Sequence, residues 1–184
     1  MRGQLTRMRR LLDALYSAGA GLAALSLLGI FCVMIAQVVM RELQMQLPAA
    51  DDISAYLCVS TTFFALAATF RRGEVIRVGV LLNRLGPGPR RFAEILVLVL
   101  AILLMGYVTW WTAQDMLFSW QIEEVAQGTV PIPLWYPKLT MPLGAGLLLI
   151  ALIDELVHVL RGGRPSYVVA AEQRSVAGDF SAEV

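Results

Sequence analysis

The sequence predicts an all-α membrane protein: four transmembrane helices with both termini in the cytoplasm, and an amphipathic helix at the membrane surface between helices two and three. Of its 184 residues, 58% are hydrophobic and 16% are charged, whereas soluble domains average about 45–50% apolar and about 25% charged residues. The apolar residues lie in long runs, and lysine and arginine are concentrated in alternate segments between them. The net charge of +1 gives no overall field that would attract nucleic acid.

Four apolar runs are long enough to cross a bilayer, whose hydrocarbon core needs roughly 20 helical residues. They cover residues 14–40, 53–70, 95–114 and 134–153. The first run follows basic residues, as in a signal peptide, but it is longer than the apolar core of a signal peptide, which has roughly 7–15 residues. We therefore expect it to stay in the protein as a transmembrane helix. The fourth run contains Lys138 near one end, where a lysine can extend to the lipid headgroups.

The distribution of positive charge predicts the orientation. Residues 1–13, 71–94 and 154–184 carry 13 lysines and arginines, whereas residues 41–52 and 115–138 carry 2. Because cytoplasmic loops are enriched in these residues, both termini and the central loop are predicted to be inside. The other two loops are then outside.

Three parts are expected along the chain. Residues 1–13 form a basic cytoplasmic N-terminus, residues 14–160 form the four-helix membrane domain, and residues 161–184 form a polar cytoplasmic tail. The tail starts with GGRP at residues 162–165 and carries Glu172, Arg174, Asp179 and Glu183, so we expect it to be mostly disordered.

A short amphipathic segment lies in the central loop. Residues 75–85 read VIRVGVLLNRL, and at helical spacing Arg77 and Arg84 share one face. The segment is too short to span the membrane and too apolar for water, which favours a helix in the inner interface. Two interpretations remain open: this arm helix anchors the loop on anionic lipid, or its apolar face docks on a protein partner. Residues 86–89 (GPGP) are expected to end it.

The predicted spans lack the residues that membrane chemistry requires. They contain no aspartate, glutamate or histidine, and Lys138 is their one cation. The single histidine, His158, has no partner for a metal or haem site, and Cys32 and Cys58 lie on different spans. We therefore expect no catalytic residue, no cofactor and no metal, and we do not interpret the chain as an enzyme or as a complete transport pathway.

Small residues instead favour helix packing. Gly19 and Ala23 are four residues apart in the first span, and Pro142 and Gly144 lie early in the fourth. Such residues let transmembrane helices approach closely, and serine and threonine hydroxyls add hydrogen bonds between them.

Three stretches resemble the small membrane subunit of tripartite ATP-independent periplasmic (TRAP) transporters. Residues 51–56 (DDISAY) look like the acidic start of the family's second helix, and residues 132–136 (IPLWY) with 141–144 (MPLG) look like the start of its fourth. Residues 63–78 (FFALAATFRRGEVIRV) are similar to its most characteristic stretch. Within this pattern Gly73, Ile76 and Val78 match, whereas Val75 and Gly79 stand where the family has histidine and aspartate. The resemblance covers roughly residues 11–160.

The resemblance implies a sodium-coupled, binding-protein-dependent transporter of organic anions, expected to be carboxylates, in the bacterial inner membrane. Its partners are a large multispan permease subunit, a periplasmic substrate-binding protein, and anionic or phosphatidylethanolamine lipids. The small subunit braces the large one. Residues expected to contact lipid through the arm are Arg71, Arg72, Arg77 and Arg84. Residues expected to help dock the binding protein are Asp51, Asp52, Glu123 and Glu124. Residues expected to pack against partner helices are Gly19, Ala23, Gly73, Ile76, Val78, Pro142 and Gly144.

Other functions predict different features. An unrelated four-helix scaffold or assembly factor would show similar packing faces without a transport partner. A small multidrug carrier would need an acidic residue inside the membrane. A membrane redox enzyme would need paired histidines or cysteines.

Overall fold

The computed structural model describes residues 2–72, 87–128 and 130–161, and they form four long helices. Each helix is long and apolar enough to cross a membrane, which confirms the predicted all-helical fold. The helices are α1 (Arg2–Glu42), α2 (Ala50–Arg72), α3 (Pro87–Gln121) and α4 (Trp135–Leu160).

The helices pack in a row whose order differs from the order of the chain. Helix α2 packs against both α1 and α4, and α3 packs mainly against α4, so the order in space is α1, α2, α4, α3. We call the end of the bundle that carries residues 43–49 and 122–134 the loop end, and the opposite end the terminal end. Helices α2 and α4 start at the loop end and run parallel, while α1 and α3 finish there.

The hydrophobic core lies toward the terminal end. Tyr16 of α1, Ala67 of α2 and Leu98 of α3 meet Leu148 and Leu152 of α4 there. The two flanking helices stay largely uncovered: Leu25 of α1 is 64% exposed and Leu103 of α3 is 65% exposed. Such bulky apolar side chains suit contact with lipid or with a partner rather than with water.

Glycines set the distances between the central helices. A β-carbon built on Gly144 would come within 2.6 Å of the backbone of Phe63, so α4 and α2 touch there backbone to backbone. A β-carbon on Gly19 would lie 3.3 Å from Leu147 and 3.4 Å from the Phe64 carbonyl oxygen. Small residues thus bring α1, α2 and α4 together, as expected for membrane helices.

Six of the serine and threonine hydroxyl groups expected to join helices bond instead within their own helices. Ser60 donates to the Tyr56 carbonyl at 3.0 Å, and Thr109 donates to the Met105 carbonyl at 2.7 Å. The other threonines with this bond four residues back are Thr61, Thr62, Thr69 and Thr112. In these positions the hydroxyl group hydrogen-bonds to the backbone of its own helix and is not used to join two helices.

Several helix boundaries differ from the sequence prediction. Helix α1 begins at Arg2, and α3 begins at Pro87 inside the segment expected to be a stop, because proline fits the first turn of a helix. Helix α4 continues to Leu160, and its Glu155 is only 6% exposed. Glu155 lies beyond the predicted span of residues 134–153, so the extended helix buries a carboxylate just past its acid-free part. The arm at residues 75–85 and the tail beyond residue 161 lie outside the described residues.

Candidate functional site: the acidic loop end

The loop end is the acidic end of the bundle among the described residues. Residues 41–52 and 115–138 hold six carboxylates and two cations, which gives a net charge of −4. The carboxylates are those of Glu42, Asp51, Asp52, Asp115, Glu123 and Glu124, and the cations are Arg41 and Lys138. This group includes all four residues predicted to dock a binding protein.

Lys138 is the centre of a polar cluster that joins α3, α4 and the loop between them. Its Nζ lies 3.0 Å from Asp115 Oδ2 and 3.1 Å from Glu124 Oε2. It also donates a 2.6 Å hydrogen bond to the Oγ of Ser119, which is fully buried and donates in turn to Glu124 Oε2 at 2.6 Å. The Lys138 side chain is 22% exposed. Its charge is thus paired within the chain, which replaces the expected extension to lipid headgroups.

The cluster also favours the ionised form of Glu124. The hydrogen bond from Ser119, with the hydrogen bond and charge of Lys138, lowers the pKa of the Glu124 carboxyl below its ordinary value of 4.5. A carboxylate that accepts such bonds is stabilised in its charged form. Glu124 is therefore a negatively charged anchor at neutral pH.

Helix α3 ends in a Schellman motif that separates two neighbouring glutamates. The Glu124 N–H bonds to the Ser119 carbonyl at 3.0 Å and the Glu123 N–H bonds to the Trp120 carbonyl at 3.3 Å, the pattern of this C-cap. Glu123 occupies its left-handed position, with φ 50°, where glycine is the usual residue. The Glu123 side chain is exposed, and in the described part of the chain its carboxylate makes no hydrogen bond or ion pair.

The loop between α3 and α4 folds back on itself. Residues Val125 and Pro133 form an antiparallel β-bridge. The Ala126 N–H bonds to the Ile132 carbonyl at 2.8 Å, and the Leu134 N–H bonds to the Glu124 carbonyl at 2.9 Å. These bonds satisfy backbone groups that would otherwise be left open at a membrane boundary.

Contacts at the loop end continue across the bundle to α1. The Gly128 backbone lies directly against the Asp52 carboxylate, since a β-carbon at Gly128 would overlap Asp52 Oδ2. On the other side of α2, Gln37 Nε2 donates to Asp51 Oδ1 at 3.0 Å. Both aspartates lie in the first turn of α2, where negative charge favours the helix dipole. The loop end is therefore tied together from α1 to α3.

The other predicted site residues fall into three groups. Gly19, Ala23 and Gly144 are buried between this chain's own helices, and Pro142 lies inside α4. Arg71 and Arg72 end α2. The predicted arm residues Gly73, Ile76, Arg77, Val78 and Arg84 lie outside the described residues.

Sequence reasoning missed the Lys138 cluster. The signal was present: a lysine at the start of an apolar run, with Glu124 in the preceding loop and Asp115 at the end of the previous run. A cation at such a boundary needs a counter-charge or water, and the two acids were the available partners. In the residues that the structure describes, no group of histidine, cysteine and acidic side chains could hold a metal ion.

Comparison with known protein families decides among the candidate roles. The family model described as "Tripartite ATP-independent periplasmic transporters, DctQ component" matches residues 30–162. The chain belongs to this family. It is thus the small component of a tripartite transport system that also has a large permease and a periplasmic binding protein. The four membrane-spanning helices agree with a multi-pass bacterial membrane protein of the DctQ family. No curated protein sequence matches the chain.

Proposed function

We propose that the chain braces the large permease subunit of a sodium-coupled transporter that takes up organic anions, with carboxylates as the substrate class. The match to the DctQ component over residues 30–162 carries this proposal. It favours a transporter subunit over an unrelated membrane scaffold. A brace needs helix faces left open for a partner and no substrate site of its own, and α1 and α3 have such faces.

The partner face is on α1. Small side chains are exposed on its half nearer the terminal end: Ala14, Ser17, Ala18, Gly21 and Ala24. The exposed face of α3 carries bulky side chains such as Leu103, Tyr107 and Trp110. Small residues permit close helix packing, whereas large aliphatic residues and tryptophan near the interface are typical of lipid contact. The large permease subunit thus covers α1, and lipid covers α3.

The loop end faces the outside and receives the binding protein. The positive-inside rule supports this orientation, because the basic residues lie almost entirely in the segments at the opposite end. The carboxylates of Asp51, Asp52, Glu123 and Glu124 give the loop end its negative charge. At the inner surface, Arg71, Arg72, Arg77 and Arg84 contact anionic or phosphatidylethanolamine lipids.

Copurification tests the role as a brace. The tagged chain is expressed with the transporter genes encoded beside it and purified in mild detergent. We expect a large multispan protein to elute at a fixed ratio. Elution of the chain alone, as a stable monomer or homodimer, would contradict the proposal.

Two glycines make a matched pair for testing which helix meets the partner. A β-carbon on Gly21 of α1 or on Gly106 of α3 would meet no atom within 4 Å, so at both positions a larger side chain starts in open space. Gly21→Leu is expected to reduce copurification of the large subunit, and Gly106→Leu is expected to leave it unchanged. The reverse result would place the partner on α3.

The docking role is tested with Asp51→Asn combined with Asp52→Asn. The amides keep the size of the side chains and remove two negative charges. Copurification should be unchanged, while binding of the purified binding protein to the complex should weaken. Wild-type binding would contradict a docking role for these two residues.

A further inference from the structure

We propose that Lys138 is a positioning residue for docking of the binding protein. Its ammonium group holds the loop of residues 122–134 on the ends of α3 and α4, so that the loop offers the carboxylate of Glu123, and not that of Glu124, to the partner. This inference rests on the proposed function, because it concerns the surface by which the loop end receives the binding protein.

Lys138 has the contacts of a fastening group. Its Nζ reaches acceptors on two other elements: Asp115 and Ser119 on α3, and Glu124 in the loop. An ammonium group near a membrane boundary is costly to leave without partners. The loop position in which Glu124 completes the set of acceptors around Lys138 is therefore energetically favoured.

Glu124 is committed to this contact, whereas Glu123 is free for another. Ser119 and Lys138 both bond to Glu124 Oε2, and the Glu124 side chain is 36% exposed. Glu123 is exposed, with a left-handed backbone at φ 50°. A non-glycine residue in that conformation is held against its own preference by the surrounding structure, here by the C-cap of α3. The two adjacent carboxylates thus have different roles.

The loop is held at a second point, which makes it a firm surface. Gly128, near the middle of the loop, lies against the Asp52 carboxylate at the start of α2. The bridge between Val125 and Pro133 joins the two sides of the loop. Loss of the Lys138 contact would release the side of the loop that carries Glu123 and leave the Gly128 contact in place.

The chemistry of the partner surface follows from the charge. The loop end has six carboxylates and two cations. One of these cations, Lys138, already forms ion pairs with Asp115 and Glu124. The matching surface on the binding protein is therefore basic, with lysine or arginine facing Glu123. Charges at the rim of an interface act mainly on the association rate and its salt dependence.

The test measures binding and loop order on the intact complex. The chain and its large subunit are reconstituted in lipid nanodiscs, and the purified, fluorescently labelled binding protein encoded beside them is titrated in. Hydrogen–deuterium exchange of residues 122–134 reports the order of the loop. The variants are Glu123→Gln, Glu124→Gln, Lys138→Met and Lys138→Arg, with Gly106→Ala as the control.

Each variant has its own expected pattern. Glu123→Gln raises the Kd by roughly fivefold, the order of one exposed charge pair, with hydrogen exchange of the loop unchanged. Lys138→Met and Glu124→Gln raise both the Kd and the exchange rate of the loop. Lys138→Arg keeps the positive charge, so its Kd and its loop exchange rate are both close to those of the wild type. The control Gly106→Ala matches the wild type in both quantities.

Two results would overturn the inference. One is faster loop exchange in Lys138→Met with wild-type Kd, because the fastening would then have no bearing on docking. The other is wild-type Kd in Glu123→Gln together with normal loop exchange in Glu124→Gln, a variant that retains Lys138. In either case copurification with the large subunit and measurable binding of the binding protein by the wild-type complex would leave the proposed function standing. Absence of both would remove the proposed function itself.

Discussion

Gly144 of α4 and Phe63 of α2 are in backbone contact at the centre of the bundle. A β-carbon on Gly144 would come within 2.6 Å of the carbonyl carbon, carbonyl oxygen and β-carbon of Phe63. None of these atoms can move without shifting the helix that carries them. Because α2 and α4 are the two middle helices of the row, this contact sets the spacing on which both flanking helices are built.

Gly144→Ala is expected to lower the free energy of unfolding by about 1–3 kcal/mol, the usual cost of forcing extra atoms into a packed site. The measurement is the thermal unfolding midpoint of the purified chain in detergent. Gly106→Ala is the control, since a β-carbon there meets nothing within 4 Å and alanine favours helix over glycine by about 1 kcal/mol. Equal midpoints for the two variants would contradict the close contact.

Ser54→Ala is expected to leave stability unchanged or to raise it by about 1 kcal/mol. Ser54 is 8% exposed, and its Oγ has no hydrogen-bond partner among the described residues. A buried hydroxyl without a partner costs free energy that alanine does not. The matched control is Ser60→Ala: Ser60 is equally buried, but it donates to the Tyr56 carbonyl at 3.0 Å.

Unfolding midpoints of the two serine variants, measured side by side, give the comparison. The Ser54 variant should be the more stable of the two. A clear loss of stability in Ser54→Ala alone would mean that its hydroxyl bonds to a group that the described residues do not include.

The four helices were predictable because each apolar run is longer than a soluble core helix requires. The pairing of Lys138 with Asp115 and Glu124 was not predictable, because it depends on which helices are neighbours in space. In the structure α3 lies beside α4, and this brings the three side chains together. The same holds for Gly19. Its spacing predicts a packing face, but only the three-dimensional order shows that Leu147 and Phe64 cover that face.

Loop attachment through Glu124 is expected to withstand mild acid. Because the pKa of Glu124 is lowered from 4.5, the ionised form is favoured in the folded loop. The contribution of ionised Glu124 to the stability of the folded loop is complete when the pH is above the ordinary pKa of 4.5. This contribution is lost as the pH falls through the lowered pKa. A spin label at Val125→Cys, next to Glu124, in a chain with Cys32 and Cys58 replaced by alanine, should keep a broad spectrum from about pH 8 to about pH 5 and sharpen only below 4.5.

The control for this titration is Glu124→Gln, which cannot ionise. Its spectrum should be sharper at neutral pH and should show no step in acid. A step near neutral pH in the parent chain would point to a different titrating group and contradict the role of Glu124 as the anchor.

Reversing the charge of the arm is expected to weaken the complex at the inner membrane surface. Arg77 and Arg84 share one face of the predicted arm at residues 75–85, and each basic residue near an anionic leaflet contributes about 1 kcal/mol of attraction. Arg77→Glu with Arg84→Glu turns that attraction into repulsion. Copurification of the large subunit should fall, and the loss should be smaller in cells with fewer anionic lipids.

The matched variant Arg77→Lys with Arg84→Lys keeps both charges and should behave as the wild type. Unchanged copurification in the glutamate variant would mean that the arm holds its place by apolar contact alone.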